Sequence, residues 1–450
     1  DAPFDDDRKS FIGGQTLQPL DEKYSNLFVK AAPIDGLTLS LDYFRNDTPF
    51  LFIPDTQNAF IEEDSLTLSA RYQAGDLQQG KVEVTLFYTQ DNAREFEIEQ
   101  LTQTQGYEEK QNAVTAGATV TGFKRLFEKH VVALGVSQQH ERAKDMSFVR
   151  TFRFDTGFTA PITGSLLSEP DISNKDYAVF IQDVWDVNSN LNVTLGGRYD
   201  DFEQFDGHFN YRAALVYTTE AQQTWKLLYG TAIRTPSFRE YLKVLEGTSF
   251  VAPVPEPERI KSLELAYLHQ WQHASANITL FHNHVEDFIH EVPTPDGADE
   301  FFTNSDKTLD MVGIDALLNY SLDEDLIMRL STSYLNADFI GAGEAPYLAS
   351  WTAGFNLSYA YSSQHNLGFS VVYNNDRLDT NNFIDDDSDA FVITNVFGSG
   401  QISKQLSYGF GIDNVFDSEV FDPAADFGSQ YNTERSEREY WLRLQWGVDL

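Results

Sequence analysis

The chain is predicted to be all-β: a transmembrane antiparallel β-barrel of about 20–22 strands, with short periplasmic turns and long extracellular loops. Three observations carry that prediction. Apolar residues recur at every second position in segments of roughly ten residues, the length a tilted membrane strand needs. Short turns alternate along the chain with long polar loops bearing Pro and Asp. Three of the six tryptophans, Trp185, Trp225 and Trp271, lie within a few residues of a short turn, where an interfacial aromatic girdle belongs.

Bulk composition alone points elsewhere. The 450 residues carry 69 acidic and 32 basic side chains, a formal net charge of −37, with 41% hydrophobic residues and no cysteine. Such numbers describe an acidic, soluble protein. They exclude a disulfide scaffold and a thiolate metal site, and they exclude a nucleic-acid partner, because phosphate binding needs a basic surface. No apolar run approaches the roughly 18 residues of a membrane helix. Residue order overrides the composition: strands with one apolar and one polar face average to a hydrophilic chain, and acid clusters such as Asp5 to Asp7, Glu62 to Asp64 and Asp385 to Asp389 are expected in loops and strand ends outside the membrane band.

The alternation runs the length of the chain. Leu191, Val193, Leu195 and Tyr199 share one face of a strand, with Asn192, Thr194, Gly196 and Arg198 on the other. Trp351, Ala353, Phe355, Leu357, Tyr359 and Tyr361 repeat the pattern, as do Leu367 to Tyr373, Leu406 to Ile412 and Tyr440 to Leu450. Nine short turns punctuate the strands, at 33–36, 74–76, 127–129, 187–190, 219–221, 272–274, 322–325, 362–365 and 403–405. Longer excursions fall at 45–64, 140–175, 236–258, 374–389 and 413–438. Nine hairpins imply eighteen strands and the segment from Arg438 adds one; Arg8 to Gln18 is a poor candidate for a twentieth. The expected division is a poorly defined N-terminal segment over 1–23 and a barrel over 24–450. Sandwiches, propellers and solenoids also alternate, but propellers and solenoids need a fixed repeat, and none is apparent. Bilayer hydrocarbon satisfies no backbone group, so a spanning sheet has to close on itself.

Tyr229-Gly230-Thr231-Ala232-Ile233-Arg234-Thr235-Pro236-Ser237-Phe238-Arg239-Glu240-Tyr241-Leu242 resembles a signature segment of TonB-dependent outer-membrane receptors, in which a strand ends in Arg-x-Pro-Ser and enters a long extracellular loop. Tyr177 to Trp185, Leu195 to Asp200, Pro257-Glu258 to Leu265, Ile278 to Ile289 and Gly411 to Asp417 resemble further family segments in the expected order. The likeness is fullest from Asp176 to Leu450. It implies a Gram-negative outer-membrane location, contact with outer-membrane lipid and lipopolysaccharide, and import of a scarce ligand such as a chelated metal. A lumen-filling plug domain and the energy-transducing protein TonB are the partners it implies. The segments before the barrel match neither a plug nor a TonB box, and the chain closes on Leu450 where the family ends on Phe or Trp. A fragment, a receptor with its plug on another chain and a plugless relative are the three explanations. A plugless scaffold barrel and a diffusion porin stand as alternative functions.

Candidate sites are few. Arg198, Arg234 and Glu264 lie on strands whose other face is apolar, so they are expected in the lumen; an Arg facing lipid at mid-membrane costs about 2–4 kcal/mol. They either line a permeation path, hold a plug, or are ordinary lumen charges. His282 and His284, with Glu286, share a strand face and pair residue types that suit a transition metal, but a solvated strand end explains them better. Asp385, Asp387 and Asp389 alternate like the start of a calcium loop, yet the glycine and distal glutamate are missing. Phe250 to Pro257 and Asp417, Glu419 and Asp422 are candidate ligand-contacting loop residues. No nucleophile–base motif is present, so no enzyme and no cofactor are expected.

Overall fold

The computed structural model describes residues 23–50, 59–98, 105–150, 167–168, 172–238, 240, 254–293, 295, 300–340, 343–346, 348–377, 389–422, 433–434 and 438–447. Each alternating segment lies on a strand, the last as far as Trp446. In chain order the first strands are β1 (Lys23–Ile34), β2 (Leu37–Phe50), β3 (Ala59–Asp76), β4 (Gly80–Ile98), β5 (Gln105–Leu126), β6 (His130–Arg150), β7 (Leu167–Ser168), β8 (Ile172–Asp186) and β9 (Leu191–Phe202). β10 (His208–Thr218), β11 (Gln223–Arg234), β12 (Glu258–Gln270), β13 (Ala274–Glu286), β14 (Ile289–Pro293), β15 (Glu300–Asn304), β16 (Leu309–Ser321), β17 (Leu326–Phe339) and β18 (Gly343–Glu344) follow. The series ends with β19 (Trp351–Ser362), β20 (His365–Asn374), β21 (Phe391–Ser403), β22 (Leu406–Asp413), β23 (Phe421–Asp422), β24 (Thr433–Glu434) and β25 (Glu439–Trp446).

One antiparallel sheet of 21 strands contains all of these except the small hairpins β14–β15 and β23–β24. Two members, β7 and β18, are only two residues long, which leaves nineteen long strands, as the nine hairpins and the final strand predict. Each long strand pairs with its neighbours in chain order.

All nine short turns are present, one of them displaced. Ala74 to Asp76 still belongs to β3, and the reversal falls at Leu77 to Gln79. The Asp76 carboxylate accepts hydrogen bonds from the Gln78 and Gln79 amides, both at 2.8 Å. It therefore caps the turn from the strand end. Asn188 and Asp323 do the same in their hairpins. Phe127 and Glu128, in the three-residue connection between paired Leu126 and His130, both take positive φ, 50° and 63°. The long excursions near the N-terminus are shorter than predicted, because β2 and β3 extend to Phe50 and back to Ala59, and β6 extends to Arg150. Their outer ends keep pairing as polar ribbons in water, with Arg94 on β4 reaching Glu62 across the ladder at 3.6 Å and Arg45 bonding Asp47 along β2 at 3.0 Å.

Register sorts every strand into two faces. Leu41, Leu68, Tyr88 and Ala116 lie in one cross-strand row, and Val136, Val179, Tyr199 and Phe209 in another, all on the outer face. Leu195, Leu227, Leu280, Leu330 and Leu442 are exposed on the same face. A water-exposed apolar belt of this extent is what lipid covers. The inner face is polar, interrupted by aromatic rings lying over glycines directly across the ladder: Phe87 on Gly117, Phe180 on Gly135, Phe281 on Gly313, Phe397 on Gly368 and Trp441 on Gly411. Each ring occupies space that a Cβ would need, which keeps the lumen wall smooth.

The sheet has little dry core. Buried apolar residues include Ile289, Ala345, Phe391 and Val420, which cluster at the outer mouth. Among the described residues, β1 and β25 have one strand partner each. Both run from the long-loop end to the short-turn end, so they are not antiparallel neighbours; antiparallel closure between them takes an odd number of strands.

Candidate functional site: the lumen face and its outer mouth

Arg234 is the last residue of β11 and faces the lumen in line with Gly230 and Lys226. Directly across the ladder is Glu258, the first residue of β12. The guanidinium donates to both Glu258 oxygens, Nε to Oε2 at 2.6 Å and Nη2 to Oε1 at 2.8 Å. It donates equally to Glu240, at 2.9 and 3.0 Å. Planar, fixed and always charged, Arg suits this double fork where Lys would not.

Glu240 is placed by the chain around it. Its carboxylate accepts from the Ser237 amide at 2.7 Å, while its own amide donates to Ser237 Oγ at 3.3 Å. Ser237-Phe238-Arg239-Glu240 is thus a capping box. Burial disfavours a charged Glu240, but hydrogen bonds from Arg234 and the Ser237 amide hold its carboxyl below the ordinary glutamate range. Glu258 also accepts from the Ile289 amide at 2.8 Å. Asn304 bonds both the amide and the carbonyl of Glu256, at 2.7 and 2.8 Å, and buried Pro257 lies between. One cation therefore ties the signature loop, the start of β12 and the β14–β15 hairpin together at the mouth of the lumen.

Arg198 and Glu264 also face the lumen. Arg198 donates to buried Asp200 at 2.8 Å from Nε and 2.7 Å from Nη2, and lies 5.7 Å from the Phe180 ring. Its Nη2 also reaches Ser137 Oγ at 3.3 Å. Glu264 stands opposite Leu228 and Phe281 and makes no hydrogen bond or ion pair among the described residues. The structure does not gather the three: Arg198 and Arg234 are satisfied by separate carboxylates.

His282 and His284 share a face, as their spacing predicts, but it is the outer one, in line with Ile278 and Leu280. Three of their four ring nitrogens meet carboxylates. His284 Nδ1 meets Asp310 at 2.6 Å and its Nε2 meets Glu286 at 3.3 Å. His282 Nε2 shares the same Asp310 oxygen at 3.2 Å, and Lys261 takes Glu286 at 2.6 Å. His284, bonded at both nitrogens, offers no lone pair to a metal. Among the described residues no group of three or more His, Cys, Asp or Glu is arranged to hold a metal ion. Asp385 and Asp387 lie outside the described residues, as do Phe250 to Pro253 and the side chain of Asp422; Asp389, Asp417 and Glu419 are exposed.

A TonB dependent receptor-like, beta-barrel family profile matches residues 6–415. The chain belongs to that family. An iron-regulated outer membrane virulence protein of Vibrio cholerae serotype O1 is 23% identical over 341 residues, 70% of this chain and 49% of that protein. The chain thus spans about half the length of the curated relatives it matches. The ferripyoverdine receptor of the Pseudomonas aeruginosa outer membrane superposes with a TM-score of 0.75 at 13% identity, over 96% of this chain and 65% of that one. Copper transporter OprC gives 0.74 at 14%, over 94% and 72%, and the siderophore receptor PirA of Acinetobacter baumannii 0.72 at 14%, over 95% and 71%. At these identities the structures share the fold. This TonB-dependent receptor barrel is an outer-membrane protein and not an enzyme.

The late family segment has a local physical cause as well. Asn414 takes a positive φ of 51° and its side chain closes the loop on itself, donating to the Ser418 carbonyl at 2.8 Å and accepting from the Ser418 amide at 2.9 Å. Asp417 accepts from the Arg438 amide at 2.8 Å, which aligns the entry to β25. The Ser237–Glu240 box was readable from spacing; the Arg234–Glu258 fork was not, because 24 residues separate its halves.

Proposed function

We propose that this barrel serves a TonB-dependent receptor that imports a chelated metal of the siderophore type, with a plug domain in its lumen and TonB as the energy-transducing partner. The observation that carries the reading is the double fork of Arg234, which fastens the signature loop and the β14–β15 hairpin at the outer mouth, where a ligand enters. The smooth, polar inner wall, with rings flattened over glycines, suits a folded insert that slides or rearranges against it. The relatives named for iron regulation, ferripyoverdine, siderophore and copper support the ligand class. Uptake of iron chelates by the host cell is the test. Saturable, energy-dependent uptake that is lost on deleting either this receptor or TonB is the expected result. Uptake that survives TonB deletion, or steady large conductance in planar bilayers, would point to a porin and overturn the proposal.

A further inference from the structure

Two histidines at the short-turn end of the barrel have a common construction that import does not use. His269 is the penultimate residue of β12 and His365 the first of β20. Both are on the lipid-facing side, in line with exposed Leu265 and Leu367. Each ring lies flat on an aromatic platform: His269 on Trp271 with centroids 4.0 Å apart and planes 10° apart, His365 on Tyr361 at 5.4 Å and 14°. Each Nδ1 meets a tyrosine hydroxyl from the same rim, Tyr267 at 2.9 Å and Tyr408 at 3.0 Å. A phenol that donates to Nδ1 leaves the proton of the neutral imidazole on Nε2. Among the described residues neither histidine makes an ion pair.

His130 supplies a contrast within the same belt. It stacks on Trp185 at 5.4 Å and 10°, but its Nδ1 partner is the Asp183 carboxylate at 2.7 Å. That arrangement places negative charge beside the ring and draws the proton to Nδ1.

We propose that His269 and His365 are binding sites for the phosphate of inner-leaflet phospholipid headgroups, with Nε2–H as the donor. The depth is that of the aromatic girdle formed with Trp225, which sits 4.6 Å from Tyr267, so the ring edge meets the headgroup layer. Phosphate oxygens are the charged acceptors of that layer, and a hydrogen bond to a charged acceptor is about twice as strong as a neutral one. The platform holds the ring in place, so little side-chain freedom is lost on binding.

Native mass spectrometry of the chain released from bilayers tests this, with phosphatidylglycerol in one arm and phosphate-free monogalactosyl diacylglycerol in the other. Wild type is expected to retain phosphatidylglycerol and to lose the glycolipid. His269→Phe and His365→Phe keep a ring on the platform but remove the donor, and each is expected to lose a single retained phospholipid. His130→Phe is expected to change nothing. Tyr267→Phe, which leaves His269 in place but frees its tautomer, is expected to weaken retention. Equal retention of the glycolipid by wild type overturns the proposal without recourse to any variant. So does a loss in His130→Phe matching that in His269→Phe, which would make the rings apolar anchors only.

Discussion

Replacing Arg234 with Met removes the one cation shared by Glu240 and Glu258 while keeping an unbranched stem. The Glu258 and Glu240 side chains are only 11% and 15% exposed, so both charges would be left poorly hydrated. Breaking a buried ion pair by deleting one partner costs about 3–5 kcal/mol. Arg234 itself is 47% exposed, so water screens part of its interaction, and each carboxylate keeps a backbone donor, Ile289 for Glu258 and Ser237 for Glu240. The expected loss is about 2–3 kcal/mol. Urea unfolding in detergent micelles, followed by tryptophan fluorescence, measures it. The triple variant Arg234→Met/Glu240→Gln/Glu258→Gln is expected to recover at least half of the loss, because amides strand no charge. A single-variant loss below about 0.5 kcal/mol, the range of an ordinary surface change, would refute the reasoning. So would strict additivity across the cycle.

The same latch carries a pH dependence. Glu240 titrates below its ordinary range in the folded chain, so its contribution is fully present above the ordinary glutamate pKa and is lost as pH falls through the depressed value. The stability gap between wild type and Glu240→Gln should therefore close in acid, and a gap that widens there would count against it. At Gly117 an added Cβ meets the Phe87 ring at 2.5 and 2.6 Å and the Gln138 carbonyl at 2.9 Å. Gly117→Ala is expected to destabilise by about 1–3 kcal/mol, with partial rescue by Phe87→Leu; an unchanged urea midpoint would show that the wall yields freely. The chain has no cysteine, which makes paired substitutions clean probes. Leu27→Cys with Tyr43→Cys, opposite each other on β1 and β2, should oxidise to a disulfide, whereas Leu27→Cys with Leu442→Cys should not; direct bridging of the second pair would show β1 and β25 to be neighbours.

Strand existence was legible because alternation in one strand is a local property. Nine turns were legible as short polar breaks between alternating segments, and four of them, at 33–36, 74–76, 187–190 and 322–325, also carry the Asp, Asn or Gly that turn chemistry favours. The misplaced turn at 74–76 shows the limit: Asp76 acts from the strand end, and composition does not distinguish a cap from a turn centre. Outer strand ends were missed for the opposite reason. Ribbons such as Glu62–Arg94 have no apolar face, and only their cross-strand partners make them strands. His282 and His284 were legible as a same-face pair, but the partner that occupies them, Asp310, comes from β16.

By itself the sequence determined the all-β class, the hairpin succession and which residues share a face, since each follows from period-two geometry and turn chemistry within a few residues. Alternation had already pointed Arg198, Arg234 and Glu264 to the lumen, but tertiary structure decided the outer face for His282 and His284, because a one-residue register shift would invert a strand. It also decided that Arg234 belongs to Glu258 and Glu240 and that Glu264 has no partner among the described residues. Those pairings span distances along the chain over which side-chain identity carries no information until the ladder brings them level.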